Sequence, residues 1–256
     1  YGTEQPAANS ELSVLEKRYD KVVVCWLPTW IIGHFCTVYH FAYQAHLKEK
    51  NERVRYVIVP DTLKSAVGQG VPNQYLYTKF TEKMPAAIRP ATAWRAYIEK
   101  HFQKGVLLGT YETDTFYLEA TKKYFSGTEN RLAIPFDCPS VDFSSEERTV
   151  GQKAMTDLGI GEKYICIFAR DAAYHGEGEE DTNQVRNFDI AAFQDTAAYF
   201  WEQYNMQSVR MGAKVNKAFS CKGAVDYASM GRSEFLDAFL FSQCAFYVGN
   251  SSGIDC

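Results

Sequence analysis

The run Gly249-Asn-Ser-Ser-Gly253 follows an apolar stretch from Ala245 to Val248. Glycines let a backbone come close to an anion, hydroxyls donate to it, and a helix starting just beyond would add its free N–H groups and dipole. This is the make-up of a phosphate cradle, although an ordinary Gly-Asn turn is written with the same letters. Arg170, Arg186 and Arg210 stand at or beside the ends of apolar runs in the second half of the chain. A diphosphate is held by planar, permanently charged donors, each good contact contributing roughly 1.5–3 kcal/mol; a solvated surface arginine looks no different in a sequence. Asp171, Tyr174, Gly212, Asp226, Tyr227, Ser251 and Ser252 share these loops and complete the candidate ligand set together with Gly253. Near the other end, Gly33-His34 follows the first apolar run, and a neutral imidazole there has a pKa suited to a general base. A histidine at a helix start also packs or caps, and both readings stand.

Other chemistries lack their signatures. His34, His40 and His46 are evenly spaced, but on a helix successive members point to different sides. Neither H-x-x-x-H nor H-E-x-x-H occurs, and D-x-D is absent. There is no G-x-G-x-x-G after the first apolar run and no G-x-x-x-x-G-K-[ST] loop, which weighs against an NAD enzyme and a P-loop ATPase. No metal and no cofactor is expected. The net charge of −4 argues against coating nucleic acid, which needs a basic surface. The 17 Tyr and 17 Phe suit a cleft for sugars or bases and equally well fill a core. Cys25, Cys36, Cys138, Cys166, Cys221, Cys244 and Cys256 are dispersed without a C-x-x-C pair, as expected of free thiols in a reducing, cytoplasmic setting.

The elements that must position these residues follow from periodicity. Residues 1–20 are polar. Lys21 to Leu27 is a continuous apolar run, the form taken by a strand inside a parallel sheet; the longest apolar stretch, Val22 to Ile32, is interrupted by Pro28 and is too short to span a bilayer. A helix over 31–50 and a strand over 54–59 would make a β-α-β unit with a right-handed crossover. Short helices are expected over 73–80 and from Pro90 to Gly105, and Pro135 and Pro139 punctuate a linker. Ser144-Ser-Glu-Glu147 is a capping box opening a helix that ends at Gly159. Strands are expected over 164–169, 207–211 and 245–248, with helices over 190–204, behind an Asp189 cap, and over 235–241, capped by Ser233. These patterns divide the chain into a polar segment (1–20), an α/β domain over 21–143 and a second α/β domain over 144–256. In an open parallel sheet ligands bind beyond the carboxyl ends of the strands, which is where the candidate residues lie. The phosphate cradle lacks its helix, so the chain is expected to continue past Cys256.

The ordered set Tyr164-Ile-Cys-Ile-Phe-Ala-Arg-Asp171, Tyr174-His175, Val185-Arg-Asn-Phe-Asp-Ile190, Val209-Arg-Met-Gly212, Val225-Asp-Tyr-Ala228, Glu234-Phe-Leu-Asp-Ala-Phe-Leu240 and Gly249-Asn-Ser-Ser-Gly253 resembles a family of bacterial surface-polysaccharide glycosyltransferases. Ile32-Gly-His-Phe35, Asn73-Gln-Tyr-Leu76, Val141-Asp-Phe-Ser-Ser-Glu-Glu147 and Leu158-Gly-Ile160 fit the same pattern, so the resemblance spans roughly residues 21–256. More distantly, Phe246 to Gly253 is similar to the nucleotide-binding end of ADP-heptose transferases, which carry Asp-Ser-Gly where this chain has Ser251-Ser252-Gly253. The resemblance implies a GT-B fold: two Rossmann-like domains facing a cleft, an acceptor domain first and a donor domain second, the latter incomplete here. It also implies metal-independent transfer from a nucleotide-sugar donor, a co-substrate rather than a cofactor, to a glycan or glycolipid acceptor. The expected setting is cytoplasmic, with association at the inner face of the membrane left open. His34 takes the place of those transferases' catalytic carboxylate, and Arg170 would face the leaving diphosphate. A sugar-nucleotide epimerase of the same fold and a non-catalytic nucleotide-sugar-binding module remain as alternatives.

Overall fold

The computed structural model describes residues 5–19, 21–28, 32, 36, 54–61, 73–83, 86–88, 141–170, 173 and 187–250. The chain divides into two compact units, Tyr1–Ser140 with Cys256, and Val141–Asp255. The first begins with helix α1 (Gln5–Arg18), inside the segment expected to be merely polar. Strand β1 (Lys21–Pro28) pairs in parallel with β2 (Val54–Asp61), and β2 pairs in parallel with β3 (Ala86–Ile88), giving the order β1-β2-β3. A parallel pair needs a crossover. The helix expected to make it lies outside the described residues, save that Ile32 and Cys36 are helical. Helix α2 (Gln74–Lys83) is capped by buried Asn73, whose side-chain oxygen accepts from the Leu76 N–H at 2.8 Å.

In the second unit helix α3 (Ser145–Asp157) opens with the capping box: Ser144 Oγ accepts from Glu147 N–H at 3.2 Å, and the Glu147 carboxylate accepts from Ser144 N–H at 2.7 Å. It closes in a Schellman turn, Ile160 N–H reaching the Met155 carbonyl at 2.8 Å while both side chains are buried. Strand β4 (Tyr164–Phe168) follows, then a 3-10 turn (Ile190–Phe193), helix α4 (Gln194–Tyr204), strand β5 (Gln207–Met211), the two-residue strand β6 (Ala224–Val225), a second 3-10 turn (Tyr227–Ser229), helix α5 (Glu234–Gln243) and strand β7 (Tyr247–Gly249). Asp189 does cap, accepting from Ala191 N–H at 3.1 Å, but the turn it starts is 3-10 before the α-helix takes over.

Among the described residues the sheet of this unit is parallel throughout, in the order β6-β5-β4-β7. Successive side chains of β4 point to opposite faces, and both faces are covered. Ile165, Ile167 and Ala169 pack with Ala197 of α4, Ile190 and Phe219. On the other face the Tyr164 hydroxyl donates to the Leu240 carbonyl of α5 at 2.7 Å. Helices α3 and α5 pack together; a Cβ on Gly151 would stand 2.5 Å from the Phe239 ring, so only glycine lets them come so close. Phe143 fills the remaining space edge-on to Phe239, ring centres 5.2 Å apart. The result is an α/β/α layering with one helix layer on each face of a parallel sheet. No helix among the described residues is long and apolar enough to cross a membrane.

Candidate functional site

The strand order places the candidate site. From β4 the chain moves outward through β5 to β6, then returns to the opposite side of β4 for β7. The strand order therefore reverses between β4 and β7, and the crevice beyond the carboxyl ends at such a reversal is where parallel sheets bind ligands. Arg170 and Asn250 stand at this point. The Arg170 N–H donates to the Asn250 side-chain oxygen at 3.0 Å, and the Arg170 carbonyl accepts from Phe188 N–H at 2.8 Å. The peptide of Arg170 is thus held from both sides, and the residue is buried to 9% exposure. The Tyr247 hydroxyl donates to the Asn250 carbonyl at 3.0 Å, which fixes the other loop. Gly249 cannot carry a side chain: a Cβ would stand 2.5 Å from the Phe168 carbonyl oxygen. Two loops about 80 positions apart in sequence are so brought to one spot, joined through the Arg170 backbone and the Asn250 carboxamide.

Arg210 does not belong to that spot. It was expected at a diphosphate, but its side chain is fully buried under the loop that follows β5. One guanidinium nitrogen donates to the Lys217 carbonyl and stands 3.5 Å from the Asp226 carboxylate. The same carboxylate accepts from Phe219 N–H at 2.8 Å and from the Ser229 hydroxyl at 2.9 Å. Arg210 and Asp226 therefore brace the 212–226 loop from inside. Gly212 is buried beside them, the Val215 side chain standing 3.0 Å from where its Cβ would be. Outside the brace, Lys217 pairs with Asp189 at 2.7 Å and holds that carboxyl below its ordinary range, helped by the Ala191 N–H.

Tyr227 is likewise a core residue rather than a ligand. It is fully buried, its hydroxyl donating to Asp237 at 2.8 Å and accepting from Ser233 N–H at 3.0 Å. Arg232 Nε donates to the second Asp237 oxygen at 3.0 Å. Burial pushes the Asp237 carboxyl up despite the opposing pull of Arg232, and burial together with Asp237 pushes the Tyr227 phenol up.

Of the remaining candidates, His34, Asp171, Tyr174, Arg186, Ser251, Ser252 and Gly253 lie outside the described residues. The sequence reasoning missed Asn250 as a positioning residue. Its signal was present, a carboxamide directly after a glycine at a strand end, the type that hydrogen-bonds neighbouring backbone. No family model, no curated protein and no solved structure matches the chain.

Proposed function

We propose that the chain is a metal-independent glycosyltransferase of the two-Rossmann-domain kind, its second unit binding the donor nucleotide sugar. The observation that carries this reading is the Arg170–Asn250 hydrogen bond, which joins the loop after β4 to the Gly249-Asn-Ser-Ser-Gly253 run where the strand order reverses. On this reading a diphosphate bound there meets the guanidinium of Arg170, whose backbone that bond anchors, and a glycine-rich, hydroxyl-bearing loop. In transfer, the acceptor oxygen bonds to the anomeric carbon of the sugar while the bond to the diphosphate breaks. Arg170, with Arg186, would stabilise the negative charge that grows on the leaving group, where fixed donors are most effective. His34 is the proposed base taking the acceptor's proton. The donor is a nucleotide sugar and the acceptor a glycan or glycolipid hydroxyl.

Calorimetric titration with nucleoside diphosphates, their sugars and free nucleosides tests the donor site. Arg170→Ala should weaken diphosphate binding by about 1.5–3 kcal/mol, roughly ten- to a hundredfold, and affect nucleoside far less. Equal losses for both ligands, or no binding of any sugar nucleotide, would overturn the assignment. Incubating a bound sugar nucleotide without acceptor separates transfer from epimerisation, because only an epimerase returns an altered sugar.

A further inference from the structure

An exposed aromatic ring stands beside the candidate donor site. The Phe188 N–H donates to the Arg170 carbonyl at 2.8 Å, which places Phe188 at the carboxyl end of β4. The chain just beyond is held as well. The Asp189 carboxylate accepts from the Ala191 N–H at 3.1 Å and from the Lys217 ammonium at 2.7 Å, tying it to the 3-10 turn before α4 and to the loop after β5. The Phe193 ring props that of Phe188, centres 5.4 Å apart and planes tilted by 51°, and itself packs against the core of Ile165, Ile167 and Ala169. Phe188 is thus fixed in backbone and backed on one side, yet it remains 45% exposed. Single exposed rings are ordinary on a protein surface, and what marks this one is its place. Tyr204 and Phe246, also exposed, precede β5 and β7 and stand at the amino ends of the strands. Phe188 stands at the ligand-binding end, bonded to the residue that Asn250 holds from the other side.

We propose, resting on the donor reading above, that the Phe188 ring stacks on the nucleobase of the nucleotide sugar. A benzyl side chain has no polar group, so it contributes a π face and apolar area only. Every nucleobase offers a flat π face of the same kind, whatever the pattern along its hydrogen-bonding edge. A diphosphate offers such a ring nothing. Adjacency sets the division of labour: Arg170 takes the charge, and the residue bonded to its carbonyl takes the base. The ring therefore adds affinity for nucleoside diphosphates over bare pyrophosphate, and the choice among bases falls to other groups.

The test is calorimetric titration of the intact protein with uridine, guanosine, adenosine, cytidine and thymidine diphosphates and their sugar conjugates. Inorganic pyrophosphate serves as the probe that lacks a base. Phe188→Ala should weaken the nucleoside diphosphate that the wild type binds best by roughly ten- to a hundredfold and leave pyrophosphate within about twofold. Phe188→Leu, which keeps apolar bulk over Phe193 but has no π face, should share most of that loss. Phe188→Trp should keep the affinity, and its added indole emission should be quenched by the nucleotide and not by pyrophosphate. An equal loss for pyrophosphate would show that the ring only supports the Arg170 loop. A loss seen with the sugar conjugate and absent with the diphosphate would put the sugar, not the base, on the ring. Either result, or unchanged nucleotide affinity, overturns the stacking while the donor site stands. A wild type that binds no nucleotide and no sugar conjugate removes the donor reading and the stacking together.

Discussion

Replacing Asp226 by alanine strips a buried guanidinium of its carboxylate, and the structure sets the size of the loss. Arg210 is fully buried and the Asp226 side chain is 13% exposed, so little water can enter to replace the missing charge. Breaking a buried pair by removing one partner costs about 3–5 kcal/mol, mostly from the charge left behind. The Phe219 N–H and the Ser229 hydroxyl lose their acceptor at the same time. With a urea m-value of about 2 kcal/mol per molar, a loss of ~4 kcal/mol lowers the unfolding midpoint by roughly 2 M. Hydrogen exchange of peptides covering β5 and β6, followed across a urea series, reads that midpoint within the second unit. The double variant Arg210→Met with Asp226→Leu should recover most of the loss, since a well-packed apolar pair replaces a buried ion pair at little cost. A midpoint shift below about 0.5 M for Asp226→Ala, together with lost sugar-nucleotide affinity in Arg210→Met at unchanged stability, would show that Arg210 reads ligand after all.

Gly151→Ala should lower the melting temperature: the gain of about 1 kcal/mol in helix propensity is outweighed by overpacking of roughly 1–3 kcal/mol against Phe239, and Phe239→Leu should relieve it. Asp237 binds its proton more tightly folded than unfolded, so its contribution is full below the ordinary aspartate range and is lost as pH rises through the raised folded value. Measured by denaturant titration, the stability of the wild type relative to Asp237→Asn should therefore fall from about pH 4 toward pH 7; a rise would refute the burial argument. Asn250→Ala should loosen the Arg170 loop and weaken diphosphate binding about as Arg170→Ala does, without touching the phosphate chemistry directly. His34→Ala should cut turnover by about 10²–10⁴-fold and remove the acidic limb of the pH–rate profile while donor binding, measured by calorimetry, is kept.

Periodicity and caps made most of the second unit legible. Tyr164 to Ala169 is apolar on both faces because helices cover both, and Ser144, Asp189 and Ser233 announce helices through hydrogen bonds that span only two or three positions. Local chemistry of that range is visible in a sequence. Helix α1 was not visible, since Gln5 to Arg18 shows no strong apolar stripe. Strand β6 was not either; two residues carry no period. The site residues divide on the same principle. Arg170 and Arg210 both end strands of a parallel sheet and are indistinguishable by spacing. What separates them is a carboxylate 16 positions beyond Arg210, which a loop folds back beneath it. Tyr227 is decided in the same way by Asp237, ten positions on.

The blunt edges of this sheet bear on how the protein survives its own folding. Parallel pairing must wait for distant segments: Cys166 finds Tyr247 about 80 positions away, and closing such loops makes assembly slow. During that wait unpaired strand edges invite neighbouring chains to pair with them. Among the described residues the outer strands are β6, with two residues, and β7, with three, so each offers only a short ladder of open N–H and C=O groups. The long, apolar strand β4, the most adhesive segment of the unit, lies between β5 and β7 in the finished sheet. In that order β4 is flanked on both sides, and each described edge offers only a short length to a neighbouring chain.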